Sequence, residues 1–369
     1  MTTVQIELQL IAIVVASACA LPGVFLVLRR LAMMSDAITH TVLLGIVLAF
    51  FITEDLASPL LLLGAALMGV VTVALVELLL KTRLVKEDAA VGLVFPALFS
   101  LAVILISRYA SGVHLDTDAV LMGELAFAPF TRFTPFGFDI GPLSLYLMGG
   151  ILVLNLVFIG LFYKELKLAT FDAGLAASLG FAPGLLHYAL MTLVSITAVG
   201  AFETVGSILV VALMVAPPIT AYMLTDRLSR MLGLSVLIGV GSAISGYWLA
   251  FALDASIAGS MATMAGVLFG LAFLFAPERG LLANARRRTR QRFEFAQTML
   301  AIHLFHHEGQ PEAEQENSLV HLHEHLRWEP AFASTLVQRA EQRGLLLNVK
   351  GNLVLSEKGR ALAQEVMMR

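Results

Sequence analysis

Nine runs of mostly apolar residues, each at least 17 long, follow one another along the first three-quarters of the chain. They fall at about 6–28, 36–52, 58–80, 89–107, 142–163, 184–202, 204–224, 231–252 and 257–276. A bilayer's hydrocarbon core is ~30 Å thick and takes ~20 helical residues to cross, so each run predicts a membrane-spanning helix. Only a couple of residues separate the runs that meet around Ala201–Ser207. One broken helix there, giving eight spans, is the other count the pattern allows. After about residue 280 the runs stop and apolar residues recur every three or four positions among charged ones, the pattern of amphipathic helices.

Composition agrees with this division. Hydrophobic residues make up 58% of the 369, charged ones 14%, and mean hydropathy is +0.85; soluble domains carry roughly 25% charged residues. The predicted fold class is an all-α polytopic membrane protein of eight or nine transmembrane helices with a small cytoplasmic α+β domain. Residues 1–280 form the transmembrane domain, 281–292 a polybasic juxtamembrane linker and 293–369 the cytoplasmic domain. The single cysteine, Cys19, excludes an internal disulfide framework and a Cys-rich metal site. Ala16-Ser17-Ala18-Cys19 has the look of a lipoprotein cleavage site, but no Lys or Arg precedes it and the apolar run continues to Leu28. The expectation is a retained helix.

Charge sets the orientation. Arg29, Arg30, Lys81, Arg83, Lys86, Lys164, Lys167, Arg227, Arg230 and Arg279 fall in alternate connections, and only Arg108 and Arg132 in the others. Ten against two places the amino terminus outside and the tail in the cytoplasm, by the positive-inside rule. The outer connections carry Glu7, Glu54, Asp55, Asp116, Asp118, Glu124, Asp139 and Asp254. Such a face concentrates cations or serves loop solubility. Within the outer segment 108–141, Val120–Leu125 is expected as a short amphipathic helix. On the inner side, Thr170-Phe171-Asp172-Ala173-Gly174-Leu175-Ala176-Ala177-Ser178-Leu179-Gly180 predicts one short helix, too short to span, on which a cytoplasmic partner could push.

The candidate chemistry centres on Ser35-Asp36-Ala37-Ile38-Thr39-His40. Asp36 and His40 are four apart, one turn on the same helix face. Carboxylate plus imidazole suits first-row divalent metals; a polar pair at the lipid–water boundary is the alternative reading. A helix starting at Ser35 leaves the pair near the inner boundary, and a deeper site requires a start around Ala32. Glu203 either lines the pathway or sits in a short outer loop. Glu77 reads as interfacial.

The tail begins with Arg286-Arg287-Arg288-Thr289-Arg290-Gln291-Arg292, a stop-transfer anchor on anionic membrane lipid. Helices follow at 293–307, 318–327 and 330–343, then a hairpin over 345–355 and a last helix over 356–368 capped by Ser356. Six of nine histidines lie here: His303, His306, His307, His321, His323 and His325. The pairs His303/His307 and His321/His325 can each share a face and bind a regulatory cytoplasmic metal, with Glu308 or Glu324 as added ligands. Solvated helix-end histidines are the alternative.

Three stretches together resemble the permeases of the zinc/manganese/iron ABC importers: Leu28–Phe50, with Asp36-x-x-x-His40 its most specific part, Lys86–Ser107, and Val205–Ala221 with Pro217-Pro218-Ile219-Thr220-Ala221. The family pattern often has Ser where Thr39 stands, and Pro-Ala-Ala-Thr-Ala at the last stretch. The resemblance implies a permease subunit of an ATP-driven importer of manganese, zinc or ferrous iron in a bacterial inner membrane. Asp36 and His40 would bind the ion in transit, with no permanently bound cofactor. It implies three partners: a cytoplasmic ABC ATPase docking on Thr170–Gly180, an extracytoplasmic metal-binding protein, and a second permease chain, identical or a close paralogue. No Gly-x-x-x-x-Gly-Lys-Ser/Thr loop occurs, so hydrolysis belongs to a separate chain and this one is not an enzyme. The tail resembles the winged-helix domain of metal-dependent repressors of the diphtheria-toxin-repressor type, through Leu336–Leu346 and Leu355–Arg360. Its net charge, +2 with the five-arginine run and −3 without it, argues against DNA as a partner. A metal-chelate permease and a membrane-tethered metal-sensing transcription regulator remain alternatives.

Overall fold

The structure is a computed structural model describing residues 2–55, 58, 60–109, 125–134, 139–311, 313–318, 328–349 and 351–368. It divides into two compact units, Met1–Gly280 and Leu281–Arg369.

In the first unit, among the described residues, nine helices are long and apolar enough to cross a membrane. They begin with α1 (Thr3–Leu28), α2 (Ala32–Thr53), α3 (Leu60–Lys81) and α4 (Glu87–Tyr109). Next come α5 (Leu143–Leu161) and two short helices, α6 (Tyr163–Phe171) and α7 (Ala173–Ser178). The last four are α8 (Pro183–Val205), α9 (Ser207–Leu224), α10 (Leu228–Leu253) and α11 (Ile257–Phe275). A two-residue pairing of β1 (Arg132–Phe133) with β2 (Gly141–Pro142) precedes α5. Of the expected amphipathic helix at 120–125, residues 120–124 lie outside the described residues; Leu125 opens a 3-10 turn through Phe130.

Helix α1 is the centre of this unit and packs against α5, α8, α9, α10 and others. Thr2 and Gln5 start it with a capping box, each side chain bonded to the other's backbone N–H. Apolar burial does not hold helices together in lipid, where the surroundings are as apolar as the interface; close approach and buried hydrogen bonds do. Asn155, fully buried on α5, donates to Ala18 O at 2.9 Å and Thr197 Oγ1 at 3.1 Å, joining three helices. Thr72 of α3 donates to Thr41 of α2 at 2.7 Å. Higher on the same pair, Gly45 and Gly64 face each other, and a Cβ at Gly64 would lie 2.7 Å from Gly45 O. Gly45→Val is therefore expected to force α2 from α3 at an overpacking cost of about 1–3 kcal/mol. It should lower the thermal midpoint of the detergent-solubilised protein by several degrees, whereas Gly241→Ala, whose Cβ meets nothing within 4 Å, should leave it unchanged.

The close pair of runs near residue 204 is two helices. They break at Gly206, with φ 78° and ψ 166°, a region essentially reserved for glycine. Glu203 accordingly sits inside the last turn of α8 rather than in a loop, the second of its two readings.

The second unit comprises α12 (Leu281–His307), α13 (Ala313–Glu316), α14 (Pro330–Gln342), the hairpin β3 (Leu346–Val349) with β4 (Asn352–Leu355), and α15 (Glu357–Met367). Its core includes Leu300, Leu304, Leu336, Leu346, Leu353 and Ala363. Ser356 caps α15 by accepting from Gly359 N at 3.1 Å. The polybasic run forms exposed early turns of α12. Of the expected helix over 318–327, Ser318 forms an isolated bridge with Asn352 and the rest lies outside the described residues.

Candidate functional site

Helix α2 starts at Ala32, the earlier of the two starts considered, because the chain leaves α1 through only Arg29, Arg30 and Leu31. That places His40 eight residues, about 12 Å, into the helix at 1.5 Å per residue. Ser35, Ala37, Ile38 and Thr39 around it are buried. Asp36 and His40 are the exception, with side chains 33% and 26% exposed and His40 Nε2 3.4 Å from Asp36 Oδ1. Both face the same way, and α4 supplies the wall beside them. Phe95 stacks on the His40 ring at 5.6 Å and Phe99 meets it edge-on at 5.9 Å. These two phenylalanines, four apart on α4, were not singled out from the sequence. Their spacing was the available signal.

Among the described residues no third carboxylate, imidazole or thiolate joins the pair into a cluster. Glu203 belongs to the final turn of α8 and Asp36 to the second turn of α2, and the structure does not bring them together. A two-ligand half-site left open on one face cannot enclose an ion unaided.

A second polar assembly lies at the helix ends. Arg29, just past α1, donates from Nε to Thr170 Oγ1 on α6 at 3.1 Å, and its Nη1 lies 3.2 Å from His187 Nδ1 on α8. His187 Nε2 is 2.6 Å from Glu77 Oε1 on α3, and the Tyr188 hydroxyl bonds the other carboxylate oxygen. A guanidinium only donates, so His187 Nδ1 must accept, which puts the proton on Nε2 and points it at Glu77. Burial lowers the Arg29 pKa from its ordinary value. Sequence reading placed Glu77 at the interface and passed over Arg29 and His187 as sites. The contact joins residues 141 and 158 positions apart, and no local pattern encodes it.

The stretch expected as one helix over 170–180 is instead the end of α6 and all of α7. The break is Asp172, in extended conformation, whose Oδ1 accepts from Leu175 N at 2.8 Å and starts the new helix. A free Asx side chain competes with the helical backbone for its own N–H groups, which favours a cap over a continuous helix. Phe171, Ala173, Gly174, Leu175, Ala177, Ser178, Leu179 and Gly180 are exposed while Ala176 is buried. At the opposite ends of the spans, Arg132 bonds Glu7 at 2.8 Å and Asp139 at 2.9 Å. Two of the acidic residues counted as an outer cation-attracting field are thereby neutralised. Asp116, Asp118 and Glu124 lie outside the described residues.

In the tail, His303 and His307 come together with ring centroids 4.8 Å apart. Glu308, expected as an added ligand, is engaged by Arg360 at 2.6 Å. His321, Glu324 and His325 lie outside the described residues.

Residues 3–276 match the ABC 3 transport family. The chain belongs to that family. Among its relatives is the zinc transport system membrane protein TroD of Treponema pallidum, 50% identical over 358 residues and matched over 97% of each chain. The manganese transport system membrane protein MntD of Bacillus subtilis is 48% identical over 275 residues, 74% of this chain and 93% of MntD. Of solved structures, PsaBC from Streptococcus pneumoniae in complex with Fab superposes with a TM-score of 0.63 at 26% identity. It covers 76% of this chain and 94% of that one. A match of 358 residues must extend into the tail, so this multi-pass permease shares its second unit with TroD. The match to MntD covers 93% of that protein and leaves too little of it for a comparable domain.

Proposed function

We propose that the chain is the membrane permease subunit of an ATP-driven importer of manganese, zinc or ferrous iron, and that Asp36 and His40 bind the ion in transit. Family membership and relatives named for zinc and manganese transport support this reading. The observation that carries it is the open half-site itself. An ionisable pair presented on one uncovered face of a membrane helix is costly in lipid and calls for a partner. A second permease chain, identical or a close paralogue, brings its own Asp and His against that face and completes a four-ligand site. Carboxylate and imidazole accommodate all three metals. Glu203, near the other end of its helix, is proposed to line the pathway.

A separate ABC ATPase docks from the cytoplasm on Thr170–Gly180, and an extracytoplasmic binding protein delivers the ion. The membrane is proposed to be the bacterial inner membrane, and the distribution of Lys and Arg supports a tail in the cytoplasm. The second unit acts as a winged-helix-like regulatory module, with the exposed Arg286–Arg292 turns resting on anionic lipid and no DNA partner. Uptake of labelled manganese, zinc and iron into cells or vesicles, each competed with the other two, tests the reading and names the substrate. Uptake of a metal chelate with no uptake of free ions would overturn it.

The exposed α7 is the proposed ATPase contact, so Asp172→Ala probes the docking surface. Loss of the cap is expected to weaken α7 by about 1 kcal/mol. It should reduce co-purification of the ATPase while leaving the amount of permease in the membrane unchanged. Unaltered co-purification would argue that the ATPase docks elsewhere.

A further inference from the structure

We propose that the second unit contains a divalent transition-metal site built from His303, His307 and Glu316, an acidic ligand that local sequence spacing does not reveal. One donor atom from each lies within 4.8 Å of the other two, and all three residues are half-buried. An ion ~2.1 Å from each donor needs only modest side-chain rotation to close the set. Two features go beyond proximity. His303 Nε2 lies 3.3 Å from the backbone oxygen of Glu316, a carbonyl contact of the kind that orients a ligating imidazole. His307 Nδ1 is buried with no hydrogen-bond partner among the described residues, a position that a metal ion would satisfy and an apolar neighbour would not.

The fold explains why the three meet. His303 and His307 occupy the final turns of α12, where the helix's unsatisfied carbonyls favour a cation. A turn through Gly309, at φ 80°, sends the chain back, and α13 carries Glu316 alongside. That segment is pinned in turn to the hairpin, since Leu353 N donates to Asn317 O at 3.1 Å and Ser318 pairs with Asn352. Bound metal thus fastens the end of α12 to the hairpin's support. Two imidazoles and one carboxylate select manganese, iron or zinc over calcium and magnesium, which favour all-oxygen sites. That this ion is drawn from the transported pool rests on the importer reading; binding itself does not.

The test uses the full-length protein in detergent with Asp36→Ala and His40→Ala already installed, so that transit-site ions are absent from the count. Manganese and zinc, each alone, are titrated by equilibrium dialysis. The expected result is one ion per chain, with affinity at least about tenfold weaker after the near-isosteric Glu316→Gln and no binding after His303→Ala/His307→Ala. Unchanged binding in those variants, or none before they are made, would overturn the site. Failure of the importer reading registers separately, as uptake that is insensitive to Asp36→Ala.

Discussion

Replacing Asp36 by alanine is expected to reduce metal uptake about a hundredfold or more, with His40→Ala close behind and permease abundance unchanged. Losing a group that merely orients a ligand costs roughly 10–100-fold in affinity or activity, and these residues are proposed as the ligands themselves. Folding should tolerate the change. Both side chains are part-exposed and their mutual contact is a long 3.4 Å. The measurement is initial-rate uptake of labelled manganese and zinc, normalised to permease in the membrane. Asp36→Glu retains the carboxylate but displaces it by a methylene, so partial activity with an altered metal preference is expected there. Wild-type uptake in both alanine variants would remove the pair from the pathway. Phe95→Ala sharpens the test: it unseats the His40 ring without deleting a ligand, so its effect should be smaller than that of His40→Ala.

Arg29→Ala is expected to reduce uptake roughly tenfold or more through positioning, with metal selectivity intact. Arg29 is the point where α1, α6 and α8 meet, and it lies three residues before the helix that carries Asp36. A charge-assisted hydrogen bond contributes about 1.5–3 kcal/mol net, which as a bias between two conformations is roughly a tenfold to hundredfold shift. If the proposed docking segment is pushed by an ATPase, Thr170 is the residue through which α6 pulls on the rest. Lysine should not substitute well, because one ammonium on a flexible stem lacks the fork that reaches Thr170 and His187 together. A double-mutant cycle of Arg29→Ala with Thr170→Val separates this role from a structural one. Non-additive effects on uptake and on metal-stimulated ATP hydrolysis are expected, measured at matched permease abundance in the membrane. Additive effects, or full uptake in Arg29→Ala, would rule the relay out.

What could be read in advance, and what could not, follows from the range of the interactions. Membrane helices declare themselves residue by residue because the bilayer demands a fixed apolar length. The nine helices long and apolar enough to span among the described residues therefore appear in the sequence within a few residues of their ends. The Asp36/His40 spacing is equally local: four residues on a helix is one face, wherever the helix packs. Local chemistry was also enough to show a boundary near residue 204, but not its detail. Gly206, rather than the charged Glu203, makes the break, because backbone conformation and not polarity decides where a helix can turn.

Tertiary structure alone decided the rest. Which face of α2 is left uncovered depends on the packing of α3 and α4, and the phenylalanines beside His40 arrive from a separate helix. Asn155, an unremarkable polar residue in an apolar run, becomes the tie among three helices because its partners lie 137 and 42 positions away. Glu77 and His187 are 110 positions apart, yet the bundle sets them 2.6 Å from each other. In the tail, helical spacing paired His303 with His307, but only the reversal at Gly309 brought in Glu316 and only the fold committed Glu308 to Arg360. Hydropathy and helical period act along the chain and are written in it; contacts across the chain exist only after the helices have packed.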